Sequence, residues 1–173
     1  MGGGLFKKDS KDLTMFTIRE MRRHEIILVA ANLRPIDAAE VRAWGRKPIE
    51  FLNEAFDVCG KVYILEHDEA GAVAVSGYYR DAFACSAVAW MLNLVGLDKC
   101  KREYLRDSAW IWSEGFRLAG ADRFYNLIWK DATDHIRWIE SCGGKIDRNV
   151  YETINGNDFY AFTLDRSDLV KGG

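Results

Sequence analysis

The stretch KDATDHIRWIESCGGKID, from Lys130 to Asp147, decides the fold. Three apolar positions recur at helical spacing and would share one helix face, namely Ile136, Ile139 and Cys142. Asp131 or Thr133 is suited to cap the start of this helix, because both side chains accept hydrogen bonds from free backbone N–H groups. The pair Gly143-Gly144 then ends the helix, and a strand follows. The stretch therefore predicts a short helix that returns the chain to a sheet.

Further elements extend outward from this stretch in both directions. Alternating or β-rich patterns predict strands at 15–21, 61–68, 71–81, 86–96, 122–130, 148–154 and 159–166. Helical patterns predict helices at 23–33, 36–44, 47–60 and 97–120. In the longest of these, Asp98 is suited to the N-cap and Gly120 to the C-terminal end. Its predicted core stripe consists of Leu105, Ala109, Trp112, Phe116 and Ala119.

The order of these elements predicts an α/β fold. The strand at 86–96 is almost continuously apolar, which indicates a central strand buried on both faces. A helix that leaves this strand and returns to a neighbouring one forms a right-handed crossover. Asn155-Gly156 lies between two alternating runs and predicts a β-hairpin. We predict a mixed, mostly antiparallel twisted sheet with helices on both faces.

Length and composition limit the organisation of the chain. A chain of 173 residues with 49% hydrophobic residues is most simply one globular domain. We predict that residues 15–166 form this domain and that residues 167–173 form a C-terminal tail. Residues 1–14 are polar and glycine-rich, and we interpret them as a flexible tail or as a docking arm anchored by Leu5 and Phe6.

Charge and motif content argue against several functional classes. The net charge of −2 provides no basic field for nucleic acid and no polybasic patch for an anionic membrane. No apolar run is long enough for a membrane span, and the N-terminus lacks the apolar region of a signal peptide. The three histidines share no helical face, so the sequence contains no metal signature. The four cysteines have no C-x-x-C spacing, and we expect them to be reduced thiols.

The element order and local motifs resemble the GNAT superfamily of acyl-CoA-dependent N-acetyltransferases. The resemblance covers almost the whole chain after the tail and is most specific between Leu105 and Ile146. In the family, a helix ending near AGA precedes a strand, followed by DN…AIRFYEKLGF. Here Ala119-Gly120-Ala121 precedes the strand, Ile136-Arg137-Trp138 matches the IRF step, and Cys142-Gly143 matches the LG step.

The resemblance implies acetyl-CoA as the cofactor. Family members hold its pyrophosphate with backbone N–H groups in an R/Q-x-x-G-x-G/A loop, where glycine permits close backbone approach. The corresponding segment here, Cys100 to Leu105, contains no glycine. The residues that would then bind the cofactor are Leu94, Val95, Lys99, Lys101, Arg102 and Arg106. The same cations also fit a solvated helix face with a Lys99–Glu103 pair, so both interpretations stay open.

The catalytic residues cannot be named from the resemblance. The family's asparagine near the start of the last helix corresponds to Ala132, and its general-acid tyrosine corresponds to Ile139, which cannot donate a proton. Glu66 or Asp68 could act as a base through water, although both also fit a solvated strand end. Three tyrosines could replace the missing acid, or could be core or rim aromatics: Tyr104, Tyr125 and Tyr160.

Two functional hypotheses follow. Segments such as NLRPIDAAEV and GLDKCKREYLRDS resemble GNAT-like proteins of tailed bacteriophages, some of which carry an internal virion protein name. The first hypothesis is a phage particle component with a degenerate acetyl-CoA site, which binds other phage structural proteins or itself. The second is an active N-acetyltransferase that modifies an amine of a host protein or small molecule. Either protein would be found in the host cytoplasm or the virion.

Overall fold

The computed structural model describes residues 14–82 and 84–170. In these ranges seven strands form one sheet in the order β1-β2-β3-β4-β5-β7-β6. The strands are Phe16–Glu20 (β1), Val62–His67 (β2), Gly71–Arg80 (β3), Ser86–Asn93 (β4), Arg123–Trp129 (β5), Lys145–Ile154 (β6) and Asn157–Asp165 (β7). Only the β4–β5 pair is parallel among these strands. The predicted mixed, mostly antiparallel sheet is confirmed.

The helices cover both faces of this sheet, as predicted. They are Ile26–Ala31 (α1), Pro35–Ala43 (α2), Pro48–Cys59 (α3), Lys101–Arg106 (α4), Ser108–Ala119 (α5) and Thr133–Ser141 (α6). Neighbouring residues of β4 show the two faces, because successive side chains in a strand point in opposite directions. Leu92 packs with α1, α2 and α3, whereas Ala89 packs with α5 and α6. The sheet is therefore the middle layer of a three-layer sandwich.

The region after β4 differs from the predicted single long helix. A 3-10 helix, Val95–Lys99, precedes α4. The helix is then interrupted at Asp107 before α5 begins. Asp107 is held at this break by a bidentate ion pair with Arg106, with N–O distances of 2.8 and 3.1 Å. The break changes the helical phase, so Tyr104 is buried at 3% exposure and Leu105 is 52% exposed. The prediction of Leu105 as a core residue was wrong.

The local predictions at two other sites had different outcomes. Asn155 and Gly156 both have positive φ, 49° and 77°, and form the predicted hairpin turn between β6 and β7. The start of α6 differs from the prediction, because Ala132 occupies the N-cap position without a side-chain capping bond. The predicted core face of α6 is buried, with Ile136, Ile139 and Cys142 each at most 4% exposed.

The predicted tails lie partly outside the described residues. The proposed arm anchors, Leu5 and Phe6, belong to the undescribed range 1–13, as residues 171–173 do at the other end. After β7 a 3-10 helix covers Arg166–Asp168. The division into one domain and two tails stays a prediction. Within the described ranges, no helix is long and apolar enough to cross a membrane.

Candidate active site in the gap between two parallel strands

Strands β4 and β5 pair only at one end and then separate. Their register covers three residue pairs, from Ser86–Arg123 to Val88–Tyr125. Beyond this point the facing edges of both strands have lost their backbone partners, and buried backbone groups must be satisfied in another way. The separation therefore creates a gap at the centre of the sheet.

Side chains satisfy several of the backbone groups along this gap. Asn126 Nδ2 donates to the Ala89 carbonyl at 3.0 Å. At the far end, the Asn93 N–H donates to Asp37 Oδ1 at 2.6 Å, and the Trp129 N–H donates to Glu40 Oε1 at 3.3 Å. Two carboxylates from one helix, α2, thus hold the two separated strands.

His135 joins these carboxylates into a buried cluster, the Asp37–Glu40–His135 cluster. Its Nδ1 lies 2.8 Å from Glu40 Oε2. Its Nε2 lies 3.2 Å from Asp37 Oδ1, a distance that permits an ion pair although the group is not aligned for a hydrogen bond. The residues are at most 8% exposed. Burial alone would lower the pKa of His135, but the interactions with Asp37 and Glu40 outweigh it and raise the pKa to about 10.

A pocket of about 440 Å³ passes through the gap, a volume in the usual range for small-molecule sites. On the α2–α3 side its wall includes Val41, Trp44, Phe51, Ala55 and Trp90. On the α5–α6 side it includes Trp112, Trp138 and Ile139. Glu40, His135 and Asn93 contribute polar groups, so an apolar pocket meets the buried cluster where the strands separate.

Comparisons with known proteins place this geometry in a fold class. No family model and no curated protein sequence matches the chain. Among solved structures, the chain is similar to spermidine N-acetyltransferase from Vibrio cholerae in complex with CoA and spermine. The TM-score is 0.67 at 14% identity, with 90% of this chain and 98% of that chain covered.

A second similar structure carries the provisional name phosphinothricin N-acetyltransferase. Its TM-score is 0.59 at 15% identity, and the match covers 87% of this chain and 98% of that chain. The chain has the GNAT fold. At these identities the likeness shows the fold alone, so activity and ligands depend on the residues of this chain.

The six predicted cofactor residues form two groups on the GNAT fold. Leu94 follows β4 and Val95 begins the 3-10 helix, and both N–H groups are already used. Leu94 donates to the Val73 carbonyl at 2.8 Å, and Val95 donates to the Asn32 carbonyl at 2.9 Å. Backbone binding of a cofactor at these two positions therefore requires a rearrangement of the chain.

The predicted cations lie together around the start of α4. Lys99, Lys101 and Arg102 are exposed and form no ion pair with another described residue, which leaves them able to bind phosphate groups. Arg106 differs, because Asp107 holds its guanidinium. Their role in binding a cofactor stays a prediction.

The residues around the gap fit a CoA-type cofactor in part. The unpaired cations suit its phosphates. Backbone groups of Ala89 and Asn93 face the gap, and Met91 lies between these two residues in β4. Since alternate residues of a strand turn their peptide groups to the same edge, Met91 can pair with an amide-bearing chain. Farther along, the chain itself occupies this edge, because the Arg34 N–H donates to the Asn93 carbonyl at 2.9 Å.

An aromatic stack forms part of the pocket wall on the α5–α6 side. Trp138 stacks on Trp112 with ring centroids 4.9 Å apart and contacts Tyr104 at 5.1 Å. Its Nε1 donates to Ser108 Oγ at 2.7 Å, which ties α6 to the start of α5. The hydrogen bond and the ring contacts fix the position of Trp138 in the pocket wall.

The other catalytic candidates from the sequence are not part of the pocket wall. Glu66 forms an ion pair with Arg19 at 2.8 Å, on the β1–β2 side of the sheet. The buried Tyr104 hydroxyl lies 3.2 Å from Met91 Sδ. None of Glu66, Asp68, Tyr104, Tyr125 and Tyr160 lines the pocket.

The sequence does not indicate the Asp37–Glu40–His135 cluster. Asp37 and Glu40 are three residues apart and therefore share a helix face, which is a weak signal because most such pairs are solvated. Their partner His135 is 95 residues beyond Glu40 in the chain, and no local pattern indicates that contact. In the part of the chain that the structure describes, no group of His, Cys, Asp and Glu is arranged to hold a metal ion.

Proposed function

We propose that this protein is an N-acyltransferase that moves an acyl group from an acyl-CoA thioester, acetyl-CoA being the simplest, to an amine. The observation that carries the proposal is the pocket through the β4–β5 gap, with Glu40 in its wall. The fold shared with N-acetyltransferases supports it.

The residues of the chain would divide the work of binding. Lys99, Lys101 and Arg102 bind phosphate groups through their side chains, because the glycine loop of the family is absent. The Met91 peptide group binds an amide in the gap. The cofactor supplies an acyl group activated as a thioester.

Glu40 would act as the base. A protonated amine must lose a proton before its nitrogen can form the new bond to the acyl carbon, and a positioned carboxylate can accept that proton. His135 and the Trp129 N–H hold the two oxygens of Glu40, so the carboxylate is oriented before substrate binds. Ile139 cannot donate a proton to the departing sulfur, so solvent supplies it.

Binding of acetyl-CoA, measured by calorimetry, tests the cofactor site. We expect saturable binding that Lys101→Ala and Arg102→Ala each weaken by roughly tenfold, because each removes one charge-assisted contact worth about 1.5–3 kcal/mol. Lys145→Ala makes the same change on β6, the edge strand of the sheet, and should leave the affinity unchanged. Absence of binding at high cofactor concentration, or binding that neither site substitution weakens, would contradict the proposal.

A second candidate is a phage particle component without catalysis. The favouring observation is that the chain itself uses backbone groups at this end of β4, namely the Asn93 carbonyl and the N–H groups of Leu94 and Val95. Under this candidate the fold serves association with other phage structural proteins or with itself, in the host cytoplasm and the virion.

Deletion of residues 1–13 tests the docking arm of this second candidate. We expect particles assembled with the shortened chain to contain much less of it than particles assembled with the full chain. The readout is the amount of this chain per purified particle, with its soluble level in the same cells as the control. Equal incorporation of both chains would refute the hypothesis that residues 1–13 act as a docking arm.

A further inference from the structure

The half of the pocket between α2 and α3 indicates what kind of amine the protein accepts. We propose that the acceptor is a monoamine carried on an apolar or aromatic body, rather than a polyamine or a basic peptide. This inference rests on the proposed function, because it assigns the substrate class of the same site.

The walls of this half are aromatic, and each ring packs against a neighbouring group. Trp90 lies against Gly77, where an added Cβ would be only 2.5 Å from the indole ring. Phe51 meets Trp90 edge to face, with ring centroids 5.0 Å apart. Trp44 packs on Phe159 at 4.5 Å. Such rings bind an apolar body by contact area and attract a cation by their faces.

The charges of the pocket favour one ammonium group. Among the described residues that line it, none is Lys or Arg. The buried cluster contains two carboxylates and one imidazole, so its acidic groups outnumber its basic one. Glu40 is the carboxylate of this cluster that lines the pocket.

Beyond Glu40, the described residues of the pocket wall include no buried carboxylate for a second ammonium group, because Glu54 is exposed. Glu54 is the other acidic lining residue, and Arg46 already holds it at 3.0 Å. Burying an unpaired charge between aromatic rings is costly, so a polyamine loses more hydration than the site returns. One ammonium at Glu40 with an apolar body against Trp44 and Trp90 satisfies both parts of the pocket.

Binding of three probes to the full chain without cofactor tests the inference. Phenethylamine carries one ammonium on an aromatic body, phenethyl alcohol has the same body without charge, and spermidine has several ammonium groups without an aromatic body. Tryptophan fluorescence reports binding, because Trp44 and Trp90 line the site. We expect phenethylamine to bind at least about tenfold tighter than the other two probes, a difference of about 1.4 kcal/mol.

Three variants separate the charge from the aromatic walls. Glu40→Gln should weaken the binding of phenethylamine about tenfold and leave the binding of phenethyl alcohol unchanged. Gly77→Ala forces Trp90 to shift and should weaken the binding of both aromatic probes. Glu152→Gln, the same chemical change on the exposed strand β6, should weaken neither. Circular dichroism confirms that each variant is folded.

The outcomes distinguish this inference from the proposed function. Tighter binding of spermidine, equal binding of the amine and the alcohol, or no binding of phenethylamine would overturn the inference. Phenethylamine binding without acyl transfer from acetyl-CoA would overturn the proposed function and leave the amine site standing. Acyl transfer to spermidine alone would support the proposed function and overturn this inference.

Discussion

Replacement of Glu40 by Gln is expected to lower kcat/KM for acyl transfer by about 10²–10⁴-fold, the usual contribution of a positioned general base. Gln keeps the shape and an oxygen that can accept from the Trp129 N–H, but it cannot take a proton from an ammonium group. The difference in kcat/KM between the original chain and this variant should shrink as the pH approaches the pKa of the amine, because more amine is then neutral before it binds. Initial rates with acetyl-CoA and phenethylamine across a pH series measure both effects.

Glu152→Gln is the matched control for this rate measurement, since it changes an exposed carboxylate of β6. Its kcat/KM should stay within twofold of the original chain. A Glu40→Gln variant that is folded and equally active at neutral pH would show that Glu40 is not the base. The gap would then hold the amine for direct attack, with proton loss to solvent.

Replacement of His135 by Ala is expected to lower the free energy of unfolding by about 3–5 kcal/mol, the usual effect of removing one partner from a buried ion pair. Asp37 and Glu40 would then face each other without the imidazolium between them. The strand ends that these carboxylates hold would lose their support. Urea denaturation followed by circular dichroism measures the change, provided that the slope with denaturant is unchanged.

Two comparisons make the His135 result specific. His24 is exposed, and His24→Ala should change stability by less than about 0.5 kcal/mol. The double variant Glu40→Gln, His135→Ala should be more stable than the sum of the single effects predicts, because it removes both charges of the contact. Simple additivity would show that the two side chains do not interact.

The same cluster predicts how stability depends on pH. The pKa of His135 is raised from its ordinary value of 6.5 to about 10 by Asp37 and Glu40, against the effect of burial. The stabilisation is therefore complete below about pH 6.5 and is lost as the pH rises through about 10. The difference in stability between the original chain and His135→Ala should shrink across this window. A constant difference would contradict the charged state assigned to His135.

Local patterns were sufficient for much of the fold. The apolar run in β4 indicated a central strand, and Asn155-Gly156 indicated the last hairpin, because both features depend on neighbouring residues alone. The break at Asp107 was not visible, since the whole segment from 97 to 120 has helical periodicity. Whether Tyr104 or Leu105 faces the core depends on that break, where Asp107 pairs with Arg106 and Tyr104 is buried in the core.

The candidate site likewise has features that the sequence indicates and contacts that depend on the tertiary structure. The sequence by itself determined the strand and helix order, the GNAT-like resemblance, and the basic residues Lys99, Lys101 and Arg102, because these depend on residue type and short spacing. Only the tertiary structure decided that Asp37, Glu40 and His135 meet. Their contact spans almost a hundred residues of chain and arises because β4 and β5 separate, which leaves backbone N–H groups that distant side chains must satisfy.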